Sequence, residues 1–183
     1  MPEADGPALD LGRIAEALDR HGVEYLLCGG AAATAYGSTR ETADADIVAD
    51  RHPANLRRLA DAMRELNARL RVAGLSDYEA RQLPVQVDPS ALGQLELSTW
   101  MTDAGAFDVL TGLEDEHGRV VPYEELAQRA NRLRVGERVI VRAAALDDII
   151  TAKERADRPK DREALPELRV LRDQRASQHE SGQ

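Results

Sequence analysis

Apolar residues recur along the chain at two spacings, and these divide it into elements. Leu11, Ile14, Ala15 and Leu18 share one helical face, which predicts a helix over Leu9–His21 with Gly22 placed to end it. The short apolar run Tyr25-Leu26-Leu27-Cys28 reads as a strand that enters Gly29-Gly30 and an Ala-rich helix around Ala31–Tyr36. A second strand spans Asp44–Ala49. Pro53 suits the first turn of a helix reaching about Leu70, with Leu56, Leu59, Ala60, Met63, Leu66 and Leu70 on one face. The pattern weakens from Val72 to Pro84, where a loop with a short helix is expected, and Leu83–Val87 alternates as a strand does.

Farther on, Gln94–Met101 alternates again and is followed by Thr102-Asp103-Ala104-Gly105 and Ala106-Phe107-Asp108-Val109-Leu110, a hairpin. Leu133–Val141 reads as a second hairpin. Ala145–Ala156 and Asp161–Leu171 read as two helices separated by Arg158-Pro159-Lys160, and the polar stretch Asp173–Gln183 as a tail without structure. The expected organisation is one domain over residues 1–174, with a core at about 9–141, a C-terminal helical segment at about 145–174 and a tail at 175–183.

Composition narrows the class. Hydrophobic residues make up 43% of 183 residues, enough for an interior, but only six are aromatic, so that interior is built from Ala, Leu and Val. No apolar run approaches the length of a membrane span, and the acidic start Met-Pro-Glu-Ala-Asp-Gly has neither the basic nor the apolar region of a signal peptide. A cytoplasmic protein with no membrane partner is expected. Cys28 is the lone cysteine and cannot form an internal disulfide; it reads as a small buried hydrophobe.

Net charge is −9, unevenly spread. Residues 129–175 carry thirteen Lys and Arg against nine Asp and Glu, a local +4, which leaves −13 for the rest. Such asymmetry fits a basic C-terminal surface facing phosphates, or equally amphipathic helices with ordinary solvated faces.

The candidate chemistry lies between Leu27 and Val48. Glycines at a strand-to-helix turn let backbone N–H groups approach an anion. Asp44 and Asp46, one residue apart on a strand, point to the same face and suit a hard divalent cation such as Mg²⁺. Gly-Gly alone is usually a turn and a lone Asp-x-Asp usually surface charge. The order strand, Gly-Gly, helix, basic loop, Asp-x-Asp strand is much rarer by chance, and a phosphate cradle followed by a carboxylate pair points to metal-assisted chemistry on a nucleoside triphosphate. Asp108 is the candidate third carboxylate: it sits inside an apolar strand, where an unpaired carboxylate is costly to bury. A salt bridge to an arginine is the alternative reading.

Gly29-Gly30, a thirteen-residue spacer and Asp44-Ala45-Asp46 resemble the signature of the DNA polymerase β-type nucleotidyltransferase superfamily. Gly37-x-x-Arg40-x-Thr42-x-Asp44-x-Asp46 resembles its small prokaryotic branch, which includes the AbiEii-like toxins. A second point of resemblance is the helix lysine Lys153 followed by Arg158-Pro159-Lys160-Asp161; the further aspartate common in that branch is Ala164 here, so the step is incomplete.

The resemblance implies an α/β (α+β) fold: a nucleotidyltransferase core of a mixed central sheet with flanking helices, plus a C-terminal helical segment. It implies Asp44, Asp46 and Asp108 as metal ligands for Mg²⁺ or Mn²⁺, Asp108 also serving as base. Gly29, Gly30, Ser38, Thr39, Arg40, Lys153 and Lys160 would meet the NTP, with Lys153 also counted among the catalytic residues. Arg40 is read alternatively as neutralising Glu41, Asp44 and Asp46, and Asp161 as a helix N-cap. Thr42 should share the carboxylate face.

The function this implies is transfer of a nucleoside monophosphate from an NTP to a hydroxyl, by a toxin acting on the 3′ end of tRNA and countered by a cognate antitoxin. An aminoglycoside-type or protein-modifying enzyme uses the same core, and a strongly acidic acceptor pocket would favour a cationic drug. A non-catalytic nucleotide-binding partner subunit is the reading from a different class, and the presence of all three carboxylates argues against it.

Overall fold

Short local signals set the first half of the chain. The computed structural model describes residues 6–136 and 139–181. Helix α1 (Leu11–Arg20) starts where Asp10 accepts a hydrogen bond from the Arg13 N–H at 2.9 Å, and it ends before Gly22, whose φ of +64° turns the chain. Strand β1 (Tyr25–Cys28) is buried along its length and runs straight into α2 (Gly29–Tyr36), which closes at Gly37 with φ +109°. Strand β2 (Asp44–Ala49) alternates: Ala45 and Ile47 point into the core while Asp44 and Asp46 are half-buried on the opposite face.

Helix α3 (Pro53–Glu65) begins at its proline but stops before the expected Leu70. Asn67 takes a left-handed conformation (φ +52°), and Arg69–Leu70 form the edge strand β3 instead. Arg69 is 6% exposed and its guanidinium pairs with Asp77 at the start of α4 (Asp77–Arg81) and with Asp103. That buried ion cluster draws the chain into the sheet where apolar periodicity alone would continue the helix. Leu83–Val87 is not a strand; it is an irregular link to α5 (Pro89–Leu92), and Arg64 donates to the Val87 carbonyl at 2.7 Å.

The first hairpin is confirmed as β4 (Leu97–Thr102) and β5 (Gly105–Leu110), joined at Asp103-Ala104. Thr102 Oγ1 donates to the Gly105 carbonyl at 2.7 Å and accepts from the Ala104 N–H at 3.0 Å, closing the turn. Two pieces that the hydrophobic pattern does not announce follow: a ribbon of β6 (Gly112–Glu114) and β7 (Val120–Pro122), then the short helix α6 (Tyr123–Ala127). The second hairpin is β8 (Asn131–Val135) with β9 (Val139–Ala143), its tip at 137–138 lying outside the described residues. Helix α7 (Leu146–Ala156) turns at Asp157, left-handed at φ +45°, into α8 (Pro159–Ser181). Helix α8 continues through the stretch from Asp173 to Ser181 expected to be an unstructured tail; residues 182–183 lie outside the described residues.

Seven strands make one mixed sheet in the order β3-β4-β5-β2-β1-β9-β8. The pairs β2/β5 and β1/β9 are parallel and the others antiparallel. This is the expected mixed sheet with flanking helices and a C-terminal helical segment. The core sits around Leu26, Leu27, Ile47, Leu59, Met63 and Phe107, with α1 packed on α3 and α8 on α7. No described helix is long and apolar enough to cross a membrane.

Candidate active site

Register decides which carboxylates meet. In the parallel pair β2/β5, Asp46 lies directly beside Asp108, and two residues back Asp44 lies beside Ala106. Period-two alternation puts all three side chains on one face. Asp44, Asp46 and Asp108 each bring a carboxylate oxygen into a group whose members all lie within 4.8 Å of one another.

Crowding and burial perturb these groups. Burial, then the charges of Asp44 and Asp108, push Asp46 up to about 7, against the opposing pull of Lys160 and Lys153. Asp108 is also raised, chiefly by burial and further by Asp44, with Arg71 pulling the other way. The alternative partner for Asp108 is present in loose form: Arg71 stands 3.7 Å from one oxygen, while the other, Oδ1, is buried with no hydrogen-bond partner. An orphaned carboxylate oxygen among three close carboxylates is a donor set that a hard divalent cation fits.

The Gly-Gly turn is a steric necessity. Gly29 has φ +60°, and a Cβ there would lie 1.9 Å from Asp46 Oδ2; one on Gly30 would lie 2.6 Å from Thr42 Oγ1. Only glycines let the backbone pass this close to the carboxylate face. Helix α2 has no side-chain N-cap, so the N–H groups of its first turn are not occupied by a cap. Thr42 does share the carboxylate face and donates to the Asp44 carbonyl at 3.1 Å. Cys28, opposite Asp46 in β1, is buried and its thiol is pushed up by that burial, which suits a core position.

Two cavities flank the triad. The first, about 300 Å³, is lined by Gly29, Gly30, Ser38, Arg40, Thr42, Asp44 and Asp46, and by Lys153 of α7, Arg158 just ahead of α8 and Lys160 in its first turn. The second, about 380 Å³, shares Asp46, Lys153 and Arg158 with the first and adds Asp108, Glu96, Glu114 and an apolar wall. Of the expected site residues, only Thr39 lines neither cavity.

Helix α8 organises the loop before β2 in a way the sequence did not signal. Glu167 accepts from Ser38 Oγ at 2.7 Å, from the Thr39 N–H at 2.8 Å and from Thr39 Oγ1 at 2.9 Å. Arg40 pairs with Glu163 at 2.9 Å, which neither of its two readings anticipated. Glu163 and Glu167 are over 120 residues away in sequence and belong to no motif.

Asp161 is not an N-cap. It is fully buried in the first turn of α8, where Lys153 reaches it at 3.0 Å and Arg158 at 2.6 Å. Those contacts hold it below the usual carboxylate range in spite of the desolvation that opposes them. One buried carboxylate thus fixes two cations beside the first cavity, while Lys160 has no ion-pair partner among the described residues.

Many of the described cations of residues 129–175 are paired with carboxylates. Arg129 pairs with Asp148, Arg155 with Glu114, Arg162 with Asp157, Arg169 with Glu154, and Arg172 with Asp147 and Asp173. Arg175 lies over the Tyr36 ring at 5.1 Å.

No protein-family model matches the sequence, and no curated protein matches it. Solved structures do. A lincosamide antibiotic adenylyltransferase, LnuA, solved with lincomycin bound, superposes with a TM-score of 0.59 at 12% identity, covering 90% of this chain and 99% of that one. A putative nucleotidyltransferase from Thermotoga maritima gives a TM-score of 0.52 at 14% identity, covering 86% and 88%. The chain therefore has the fold of these nucleotidyltransferases.

Proposed function

We propose that this protein transfers a nucleoside monophosphate from an NTP to an acceptor hydroxyl, releasing pyrophosphate. The observation that carries this is the convergence of Asp44, Asp46 and Asp108 within 4.8 Å, between a glycine-and-cation cavity and a second cavity of different character. The shared fold with nucleotidyltransferases supports it. A divalent cation, Mg²⁺ or Mn²⁺, held by the three aspartates would neutralise triphosphate charge and align the attacking oxygen.

The chain's own residues then divide the work. The glycine turn brings backbone N–H groups to the phosphates, as only side-chain-free residues can at that distance from Asp46. Lys153, Arg158 and Lys160 set positive charge along the first cavity; Lys153 is held by Asp161 and Lys160 is free to follow the triphosphate tail. Asp108 lines the second cavity, where an acceptor hydroxyl would approach, and its carboxylate is the group that would take that hydroxyl's proton. Ser38, Thr39 and Arg40 act less directly, since Glu167 and Glu163 engage them; reaching the phosphates would require an exchange of partners.

The resemblance to the AbiEii-like branch supports a narrower reading, a toxin with a cognate antitoxin acting on tRNA 3′ ends. Among the described residues, ion pairs engage many of the cations of the C-terminal third, which weakens the argument from a basic surface. The likeness to an antibiotic adenylyltransferase supports the alternative, a small-molecule acceptor.

The test is a labelling screen: protein and Mg²⁺ with each α-³²P NTP, against total tRNA, cell protein, aminoglycosides and lincosamides, beside Asp44→Asn. Label on any acceptor that vanishes in Asp44→Asn supports the transferase. Label that persists in Asp44→Asn removes the triad from the chemistry. Nucleotide binding without label on any acceptor returns the reading to a binding subunit.

A further inference from the structure

Strand register lines up more than the three aspartates. Leu70 pairs with Trp100 across β3/β4, and the next rung sets Arg71 against Thr99. There the Arg71 N–H donates to the Thr99 carbonyl at 3.0 Å, and the Arg71 carbonyl accepts from Thr99 Oγ1 at 3.3 Å. Thr99 in turn lies beside Asp108 across β4/β5, and Asp108 beside Asp46 across β5/β2. Neighbours on one rung point to one face of a sheet. The preceding rung, Leu70 with Trp100 and Phe107, faces the core, so Arg71 emerges on the face that carries the aspartates.

From there its guanidinium comes within 3.7 Å of Asp108 Oδ2, the only ion pair that any of the three aspartates makes among the described residues. The contact is too long for a hydrogen bond. The guanidinium has no hydrogen bond and no other ion pair among the described residues. With 41% of its side chain exposed, it is free to turn to water.

We propose that Arg71 is a positioning residue that stands in for the divalent cation: it covers the charge of Asp108 in the cation-free protein and gives up Oδ2 when a cation arrives. The inference rests on the cation-binding reading of the triad above and adds a residue that no motif marks. Three carboxylates within 4.8 Å repel one another, and a charge held loosely at one end of the row relieves that repulsion without filling the space between them. A bidentate arginine would occupy both ligand oxygens of Asp108 and keep the cation out. A positive charge this close also opposes an incoming cation, so Arg71 sets how tightly the triad loads.

Loss of Arg71 should therefore have two effects of opposite sign: a weaker cation-free fold and tighter cation binding. An arginine with a purely structural role would weaken both. Mn²⁺ titration of the full chain, with the free ion followed by electron paramagnetic resonance, measures the second, and thermal unfolding in EDTA the first. Asp44→Asn defines the binding that belongs to the triad. Arg71→Gln should bind Mn²⁺ about fivefold more tightly than wild type and melt about 2 °C lower in EDTA. The ladder bonds of Arg71 are made by its backbone, so the substitution leaves the strand edge intact. Arg71→Lys keeps the charge and should stay near wild type in both measurements. Arg57→Gln removes the same charge from an exposed position on α3 and should change neither. Concentrated KCl should narrow the gap between wild type and Arg71→Gln, because it screens an exposed charge.

Mn²⁺ binding by Arg71→Gln that is unchanged or weaker, or equal tightening in Arg57→Gln, overturns the inference and leaves the cation site standing. Tighter binding without a lower melting point in EDTA overturns it as well, since no counter-charge was lost. Wild-type protein that binds Mn²⁺ no better than Asp44→Asn overturns the cation site and the inference with it.

Discussion

Replacing Asp46 by Asn should make the cation-free protein more stable while removing its response to cations. Asp46 stands between Asp44 and Asp108 and is pushed from an ordinary carboxylate value to about 7. Its raised value means that the folded state holds the proton more tightly than the unfolded chain. Below about pH 4 both states are protonated and the group contributes nothing. From pH 4 to 7 the folded state must give up stability to match the ionised unfolded chain, and above 7 the penalty is complete.

A rise from the ordinary carboxylate value to about 7 sets a ceiling of about 4 kcal/mol on that penalty. With screening at the partly exposed Asp44, about 2 kcal/mol is a realistic share, or about 4–8 °C in Tm for a chain of this size. Thermal unfolding followed by circular dichroism in EDTA at pH 8 should therefore show Asp46→Asn melting higher than wild type. The gap should close on acidification to pH 4. Adding Mn²⁺ should raise the wild-type Tm, by about 2.7 kcal/mol of stabilisation at a hundredfold excess over Kd, and should move the variant little. A variant that melts lower in EDTA, a gap that ignores pH, or an undiminished Mn²⁺ response would each refute the account of the triad as a strained cation site.

Four further outcomes follow from particular contacts. Asp44→Asn should lose at least about a hundredfold in transfer rate while keeping the wild-type circular dichroism spectrum, because it removes a ligand and leaves the core untouched. Asp161→Ala should cost about 1–3 kcal/mol in urea unfolding, because it leaves the mostly buried Lys153 without its partner while the exposed Arg158 can turn to water. The wild-type contribution of Asp161, whose carboxyl is held low in the folded state, is present above its unfolded value near 4 and should be lost as pH falls below it. Gly29→Ala should abolish cation-induced stabilisation, since its Cβ would meet Asp46 Oδ2 and its φ is left-handed. Glu167→Gln should raise KM for the NTP more than it lowers kcat, because it loosens the Ser38-Thr39 loop without touching the triad.

Much of the fold was legible because its signals are local. The strands Tyr25–Cys28 and Asp44–Ala49 were read to the residue, as alternation and flanking turn residues mark them. The hairpin around Asp103-Ala104 and the start of α3 at Pro53 follow from the same kind of signal. Other elements depend on contacts that no window of sequence contains. The end of α3 is set by Asn67 and by the buried pairing of Arg69 with Asp77 and Asp103, so extrapolating the apolar face to Leu70 failed. The strands β6 and β7 are three residues each and exist by pairing with one another. Alternation at Leu83–Val87 without a neighbouring strand to pair with produced no strand at all.

The candidate site divides along the same line. The glycine turn and the two aspartates of β2 are written in adjacent residues, because a backbone conformation and a period-two face are local properties. The sequence also singles out Asp108, because a carboxylate inside an apolar run asks for a partner wherever it lies. The packing of distant elements sets β5 parallel to β2 with Asp108 beside Asp46 and buries Asp161 beneath two cations. It alone brought Glu163 and Glu167 to the loop ahead of β2, and Glu96 and Glu114 to the far cavity. Those choices belong to strand register and helix packing, where residues up to 129 positions apart become neighbours and no local pattern records the meeting.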